Sequence, residues 1–136
     1  MGLAERRAAK QFETEQFPAL KSELMSALGF EVPVEVDWEA LSIADMAHLY
    51  RDAWPRVYFE PSRDAFKSIC ADDMGKDALR AALKKIVITN RGGVCYGDRW
   101  AKFEGGVLTL DHEPCTNIDS VQERADGLRL LIEKAL

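Results

Sequence analysis

The chain has 136 residues, of which 47% are hydrophobic and 30% are charged, and its formal net charge is −5. This length fits one domain, and the composition is that of a globular protein, which excludes an intrinsically disordered chain. The acidic balance argues against a general nucleic-acid binder, because neutralising phosphates requires a basic face. We therefore predict a single domain over residues 1–136 that binds no nucleic acid.

Charge is distributed unevenly along the chain. Residues 13–45 carry eight acidic side chains and one lysine, whereas residues 67–91 carry six basic side chains and three acidic ones. Runs of this kind usually form solvated faces of a folded domain. The alternative interpretation is an acidic surface in the first third of the chain that binds a basic partner.

The sequence favours a cytoplasmic protein. Residues 1–12 are charged and lack the apolar run of a signal peptide, and no stretch approaches the ~20 apolar residues of a membrane span. The three cysteines are far apart and form no C-x-x-C motif, which is typical of free thiols in a reducing compartment. We expect no cofactor and no membrane partner.

Helices are predicted at the beginning of the chain, over residues 3–12 and 15–28. The second has apolar residues at three- and four-residue spacing, and Gly29 is placed to end it. One helix with a kink near residues 14–18 is the alternative. Either way, the chain begins with helical structure.

A strand and a third helix are predicted next. Residues 31–37 alternate between valine and polar side chains, as a half-buried strand does, and Pro33 indicates an edge strand because it cannot donate to a ladder. Ser42 is a good N-cap for a helix whose apolar stripe runs to Trp54, and Pro55 is predicted to end that helix. Two further helices are predicted over residues 61–72 and 76–85.

The β-rich part of the chain has strands predicted near 86–90, 94–104 and 107–112. Gly105-Gly106 reads as a two-residue hairpin loop that pairs Phe103 with Leu108 and Ala101 with Leu110. This register places apolar residues on one face, and Trp100, Lys102, Thr109 and Asp111 on the other. Whether residues 94–104 form one bent strand or two stays open.

The chain ends in a helix predicted over residues 117–135, with an apolar stripe from Ile118 to Ala135. Gly127 interrupts this helix and indicates a close approach by a neighbouring element. The order of elements predicts an α+β fold. We expect a small antiparallel or mixed sheet with about five to six helices packed mainly on one face, which leaves the other face partly open.

The most concentrated polar chemistry is the segment Asp111-His112-Glu113-Pro114-Cys115. The predicted hairpin brings Asp98 close to it, so His112 is a candidate general base beside Asp98 or Asp111, with Cys115 as a candidate nucleophile. His112, Cys115 and Asp98 are also candidate metal ligands, although no recognised ligand spacing is present. The resulting hypothesis is a small hydrolase-type or metal-dependent enzyme. The plain alternative is a solvated connection between a strand and a helix.

The leading interpretation is a non-enzymatic protein-binding domain, of an inhibitor or immunity type. Its predicted binding surface comprises Trp100, Lys102, Thr109 and Asp111, with Trp100 as the anchor because tryptophan is favoured at interface hot spots. Glu31, Glu35 and Asp37 join this surface if their strand belongs to the same sheet. Self-association through a sheet edge or the last helix is a companion hypothesis.

Overall fold

The computed structural model describes residues 2–136, and it begins with two separate helices that meet at Gln16. Helix α1 spans Leu3–Glu15 and helix α2 spans Phe17–Leu28. Pro18 lies in the first turn of α2, where its missing N–H leaves no intrahelical bond unmade, and α2 ends at Gly29 as the sequence predicts. The inner faces of both helices pack into the core, where Phe12 of α1 and Leu24 and Leu28 of α2 are buried.

The prediction of a helix capped by Ser42 is wrong. Asp37 instead caps a short helix α3 (Trp38–Leu41), where its carboxylate accepts a hydrogen bond of 3.2 Å from Ala40 N. The Ser42 hydroxyl donates back to Trp38 O at 2.7 Å, and Asp45 has a left-handed φ of 64° that no helix tolerates. Ser42 has the chemistry of an N-cap, but its hydroxyl binds a carbonyl of the preceding helix α3 and does not start a new helix.

The prediction that Pro55 ends a helix is also wrong. A 3₁₀ turn (Ala47–Leu49), helix α4 (Tyr50–Trp54), a π-helical turn (Pro55–Phe59) and helix α5 (Glu60–Ile69) follow one another without interruption. In the wide turn, Glu60 N–H donates to Pro55 O, five residues back. Helix α6 (Asp73–Ala82) follows, capped by Asp72.

Four strands form one mixed sheet in the order β1-β2-β4-β3. The strands are β1 (Val34–Val36), β2 (Lys85–Thr89), β3 (Ala101–Glu104) and β4 (Val107–Asp111). Strands β1, β2 and β4 run parallel, whereas β3 is antiparallel to β4. The predicted edge position of the first strand is confirmed. Of the predicted strand near 94–104, only the last four residues pair, and residues 94–100 form a loop.

The hairpin register is as the sequence predicts, with Phe103 opposite Leu108 and Ala101 opposite Leu110. Gly105 and Gly106 have φ values of 58° and 81°, which a two-residue turn of this kind requires at both central positions. The predicted sorting of side chains follows from this register. Leu108 and Leu110 are fully buried on one face, with Ile86 and Ile88 of β2 beside them.

Helix α7 (Val121–Ala135) packs along α5 and completes the core. The predicted close approach at Gly127 is present: a Cβ added there would lie 1.9 Å from Gly97 O in the loop before β3. The fold is therefore α+β, with a small mixed sheet whose apolar face is buried in the helical core. Within residues 2–136, no helix has both the length and the apolar character needed to cross a bilayer.

Candidate functional site

The structure separates two of the polar side chains that the sequence placed in one cluster. The Asp111 carboxylate accepts hydrogen bonds from Arg91 N (2.9 Å) and Gly92 N (3.2 Å), so it closes the turn that follows β2. The Asp98 side chain is 76% exposed and contacts Arg99 at 3.6 Å. Neither carboxylate has a hydrogen bond to His112. Each is committed to a loop instead.

His112 is fully buried at the end of β4. Its Nδ1 lies 2.6 Å from Glu113 O, which assigns the ring proton to Nδ1, and its Nε2 has no hydrogen-bond partner among residues 2–136. The ring meets the edge of Trp100, with 6.2 Å between the ring centroids. Burial lowers the pKa of His112, because a charged imidazolium is poorly solvated there.

This burial predicts a pH dependence of stability. A lowered pKa means that the unfolded chain binds the proton more readily, so the free energy of unfolding falls as the pH drops below about 6.5, by at most ~1.4 kcal/mol per pH unit. His112→Asn keeps a donor near Glu113 O but cannot titrate, so the variant should lose this part of the pH dependence. Urea unfolding at about pH 7.5 and about pH 5.5 measures it.

The matched control is His48→Asn, since His48 is the other histidine and its side chain is exposed. The control should keep the pH dependence of the wild-type chain. Equal pH dependence in His112→Asn and the wild type would contradict the assignment.

The Glu113 side chain is bound to the segment that contains Cys115. The Glu113 carboxylate accepts from Cys115 N at 3.1 Å and also from the Thr116 hydroxyl. Burial, with a smaller contribution from the Glu113 charge, raises the pKa of the Cys115 thiol to about 11. A thiol is a nucleophile only as the thiolate, so Cys115 is held in its unreactive form at neutral pH.

The predicted catalytic or metal-binding cluster is therefore not assembled as expected. No hydrogen bond or ion pair joins Asp98, Asp111, His112 and Cys115 to one another. In the part of the chain that the structure describes, no three histidine, cysteine or acidic side chains converge as metal ligands do.

The expectation that Trp100 lies on an open face is wrong. Its side chain is 1% exposed, and its indole Nε1 donates to Arg124 O in α7 at 3.0 Å. Strand β3 begins at Ala101, one residue later, so the alternation of faces along the strand does not fix where Trp100 points. Trp100 is a core residue with a satisfied polar atom.

Arg124 is a buried residue that the sequence analysis missed. Its guanidinium is fully buried and contacts four main-chain oxygens, namely those of Val57 (3.0 Å), Arg56 (3.1 Å), Asn117 (2.7 Å) and Ile118 (2.9 Å). Burial lowers the pKa of Arg124. The guanidinium nevertheless stays charged, as it does throughout proteins. The charge is balanced by carbonyl dipoles.

Pro61 explains why these carbonyls are available. It lies five residues after Arg56 and four after Val57, and it has no N–H to donate to either of them. The Arg124 guanidinium supplies the missing donors across the interface of α5 and α7. The position of Pro61 inside a continuous apolar pattern is a sequence signal that a backbone donor is missing. Nothing local in the sequence identifies Arg124 as the residue that supplies the replacement donors.

Tyr58 joins the same region, since its hydroxyl donates to His112 O at 2.6 Å. Burial raises the pKa of Tyr58 well above its usual range, so the phenol stays neutral. We call Tyr58, Trp100, His112 and Arg124 the buried polar cluster. It joins the π-helical turn, the ends of β3 and β4, and α7.

The exposed candidate is the face of the sheet opposite the apolar core. The strand registers place Glu35, Val87, Thr109 and Lys102 in one row across all four strands. The neighbouring row, closer to the hairpin turn, contains Lys85, Val107 and Glu104. We use the term open face for the exposed and half-buried residues of these two rows, namely Glu35, Lys85, Val87, Lys102, Glu104, Val107 and Thr109. Of the predicted binding surface, Lys102, Thr109 and Glu35 thus share one row.

The remaining predicted surface residues lie elsewhere. Asp37 caps α3 and also accepts from the Thr89 hydroxyl at 3.4 Å, at the end of the sheet where Thr89 is fully buried. Asp111 is held by the turn after β2, and Glu31 is exposed ahead of β1. The open face is consequently confined to the two rows nearest the hairpin turn.

A cleft of about 200 Å³ lies between α1 and residues 47–51. Its floor contains Phe12 and Tyr50, and its rim contains Glu15, His48 and Arg51. This volume is below the roughly 300 Å³ at which small-molecule sites usually begin.

Comparison of the chain with protein-family models, with curated proteins and with solved structures finds no match.

Proposed function

We propose that this chain is a protein-binding domain whose binding surface is the open face of the sheet. The observation that carries the proposal is the distribution of side chains on that face. Val87, Val107 and Thr109 occupy the two central strands and are half-buried, and the charged residues Glu35, Lys102 and Glu104 lie on the outer strands. Lys85 is the charged residue on a central strand, and its ammonium group reaches Glu35 at 2.9 Å. An apolar centre with a polar rim is the usual anatomy of a protein interface.

The proposal assigns no catalytic step to the chain. An enzyme centred on Asp98, Asp111, His112 and Cys115 would require these groups to reach the atoms of one substrate. His112 is instead buried against Trp100, and the Cys115 thiol is kept protonated. A sheet face that places its side chains at the fixed spacing of the strand registers is suited to recognition.

Site-specific photo-crosslinking tests the proposal. A photoreactive amino acid is placed at Thr109 on the open face or, as a control, at Lys67, which is exposed on α5. We expect a defined protein adduct from position 109, with the purified chain or with extract of its source cells, and none from position 67. Val87→Arg should abolish the adduct, because a long cation then occupies the apolar centre.

Adducts of equal yield from both positions, or no adduct from position 109 in either setting, would refute the proposal. An adduct from position 109 that survives Val87→Arg would refute it as well, since a partner seated on the open face must contact Val87.

A further inference from the structure

One row of the open face has charges that are complementary to those of a second copy of the same row. Along the row that crosses the sheet, Glu35 lies at the β1 edge and Lys102 at the β3 edge, with Val87 and Thr109 between them. The row therefore runs from negative through weakly polar to positive. A surface of this kind can bind its own copy if a symmetry axis reverses the row.

One of the two in-plane symmetry axes achieves this reversal. A two-fold axis parallel to the strands, midway between two facing sheets, exchanges the β1 and β3 edges. Glu35 of each copy then faces Lys102 of the other, and Val87 faces Thr109. A two-fold axis perpendicular to the strands that passes through this row would place Glu35 opposite Glu35 and Lys102 opposite Lys102, which like-charge repulsion disfavours. A perpendicular axis between the two rows would pair Lys102 with Glu104, but it leaves Glu35 opposite the Pro33 position and sets Lys85 against Val87.

From this complementarity, and resting on the proposed function, we infer that the occupant of the open face is a second copy of this chain. The two sheets pack face to face about 10 Å apart, with the strand directions of the two copies roughly aligned. Each dimer contains two Glu35–Lys102 contacts at its rim and two Val87–Thr109 contacts at its centre.

The other charged groups of the face are compatible with this arrangement. Lys85 is bound to Glu35 of its own chain, at 2.9 Å between Nζ and the carboxylate, and its aliphatic stem covers Val107 of the other copy. Glu104 faces Pro33, which precedes β1, and stays at the solvated rim. The Glu35 carboxylate has two oxygens, so it can accept from both lysines.

The open part of the face comprises only two rows, so the dimer is expected to be weak and reversible. Sedimentation at concentrations from about 10 μM to about 1 mM covers the range in which such a pair forms. The wild-type chain should change from the monomer mass toward twice that mass across this range. A chain that remains monomeric up to about 1 mM would overturn the inference.

Charge reversal tests the pairing itself. Glu35→Lys alone and Lys102→Glu alone each create two like-charge contacts, and each variant should remain monomeric. An equimolar mixture of the two variants restores both opposite-charge contacts, so the dimer should return in the mixture. The matched controls Lys67→Glu and Asp77→Lys change exposed charges on α5 and α6, and they should behave as the wild type does.

A measurement on the unaltered chain removes any dependence on the folding of the variants. A carbodiimide couples a carboxylate directly to a lysine, and mixing isotopically light and heavy chains identifies crosslinks between copies. We expect a light–heavy crosslink between Glu35 and Lys102. Its absence, or a mixture of the two variants that stays monomeric, would overturn the inference.

The two proposals fail in different ways. If position 109 is crosslinked to another protein while the wild-type chain stays monomeric, self-pairing is wrong and the protein-binding function stands. If position 109 gives no adduct in the purified chain or in extract, both are wrong.

Discussion

Arg124→Met is expected to lower the free energy of unfolding by about 4 kcal/mol, a large part of the roughly 5–15 kcal/mol that stabilises a typical domain. The Arg124 guanidinium donates to four main-chain carbonyls at 2.7 to 3.1 Å. Methionine has a similar length and fills most of the same volume, but it has no donor. The carbonyls of Arg56, Val57 and Ile118 would then lose this donor, at about 1–3 kcal/mol each, whereas Asn117 O keeps the hydrogen bond of 3.0 Å that it accepts from Ser120 N.

An opposing effect reduces this loss without reversing it. Burying a charged group is unfavourable, so removing the guanidinium removes a desolvation penalty, which is also what lowers the pKa of Arg124. Guanidinium is more weakly hydrated than an ammonium group, so this penalty is moderate. Two of the orphaned carbonyls, those of Arg56 and Val57, cannot regain a hydrogen bond from Pro61, which lies five residues after one and four after the other and has no N–H.

Urea unfolding of Arg124→Met measures the effect, with Arg129→Met as the matched control in the same helix. Arg129 is half-exposed and pairs with Glu133 at 3.3 Å, so its loss should change the free energy of unfolding by less than about 1 kcal/mol. Arg124→Lys keeps the charge but not the planar fork, and it should fall between the two. A loss below about 1 kcal/mol in Arg124→Met would contradict the role assigned to its hydrogen bonds.

Arg124 also shows where sequence patterns stop being informative. The Phe103–Leu108 hairpin register and the apolar stripe of α7 were predictable, because both depend on the spacing of residues close together in the chain. The helix that continues past Pro55 and Pro61 was not, because the donors that make it tolerable come from Arg124, more than sixty residues away. Local sequence patterns identify the proline that removes a backbone donor, but they do not identify the distant side chain that replaces this donor.

The candidate site divides in the same way. Lys102, Thr109 and Glu35 were placed on one face by strand alternation, and the structure puts them in one row. Trp100 was placed there by extending that alternation one residue beyond the strand, but its indole donates to Arg124 O in α7 and is buried. The cluster around His112 was inferred from sequence proximity, which does not determine whether side chains converge.

Gly127→Ala is expected to destabilise the chain by about 2 kcal/mol or more, although helix propensity alone predicts the opposite sign. In an exposed helix, alanine is favoured over glycine by about 1 kcal/mol. In α7, however, an alanine Cβ would lie 1.9 Å from Gly97 O and 2.9 Å from Gly97 C. These are backbone atoms, which cannot rotate away as a side chain would, so the loop and the helix must move apart. Overpacking of this kind costs about 1–3 kcal/mol when the surroundings can relax, and more when they cannot.

Relaxation is restricted here because the approach is reciprocal. A Cβ at Gly97 would lie 2.8 Å from Arg124 N, so moving the loop away from Gly127 displaces the segment of α7 that carries Arg124. Urea unfolding of Gly127→Ala tests this, with Asp126→Ala as the control on the exposed side of the same helix, where a change within about 0.5 kcal/mol is expected. The double variant Gly97→Ala/Gly127→Ala should lose less free energy of unfolding than the sum of the losses in the two single variants. The reason is that the first substitution already opens the gap that the second requires. A stabilised Gly127→Ala would mean that the loop and the helix do not pack as closely as the structure shows.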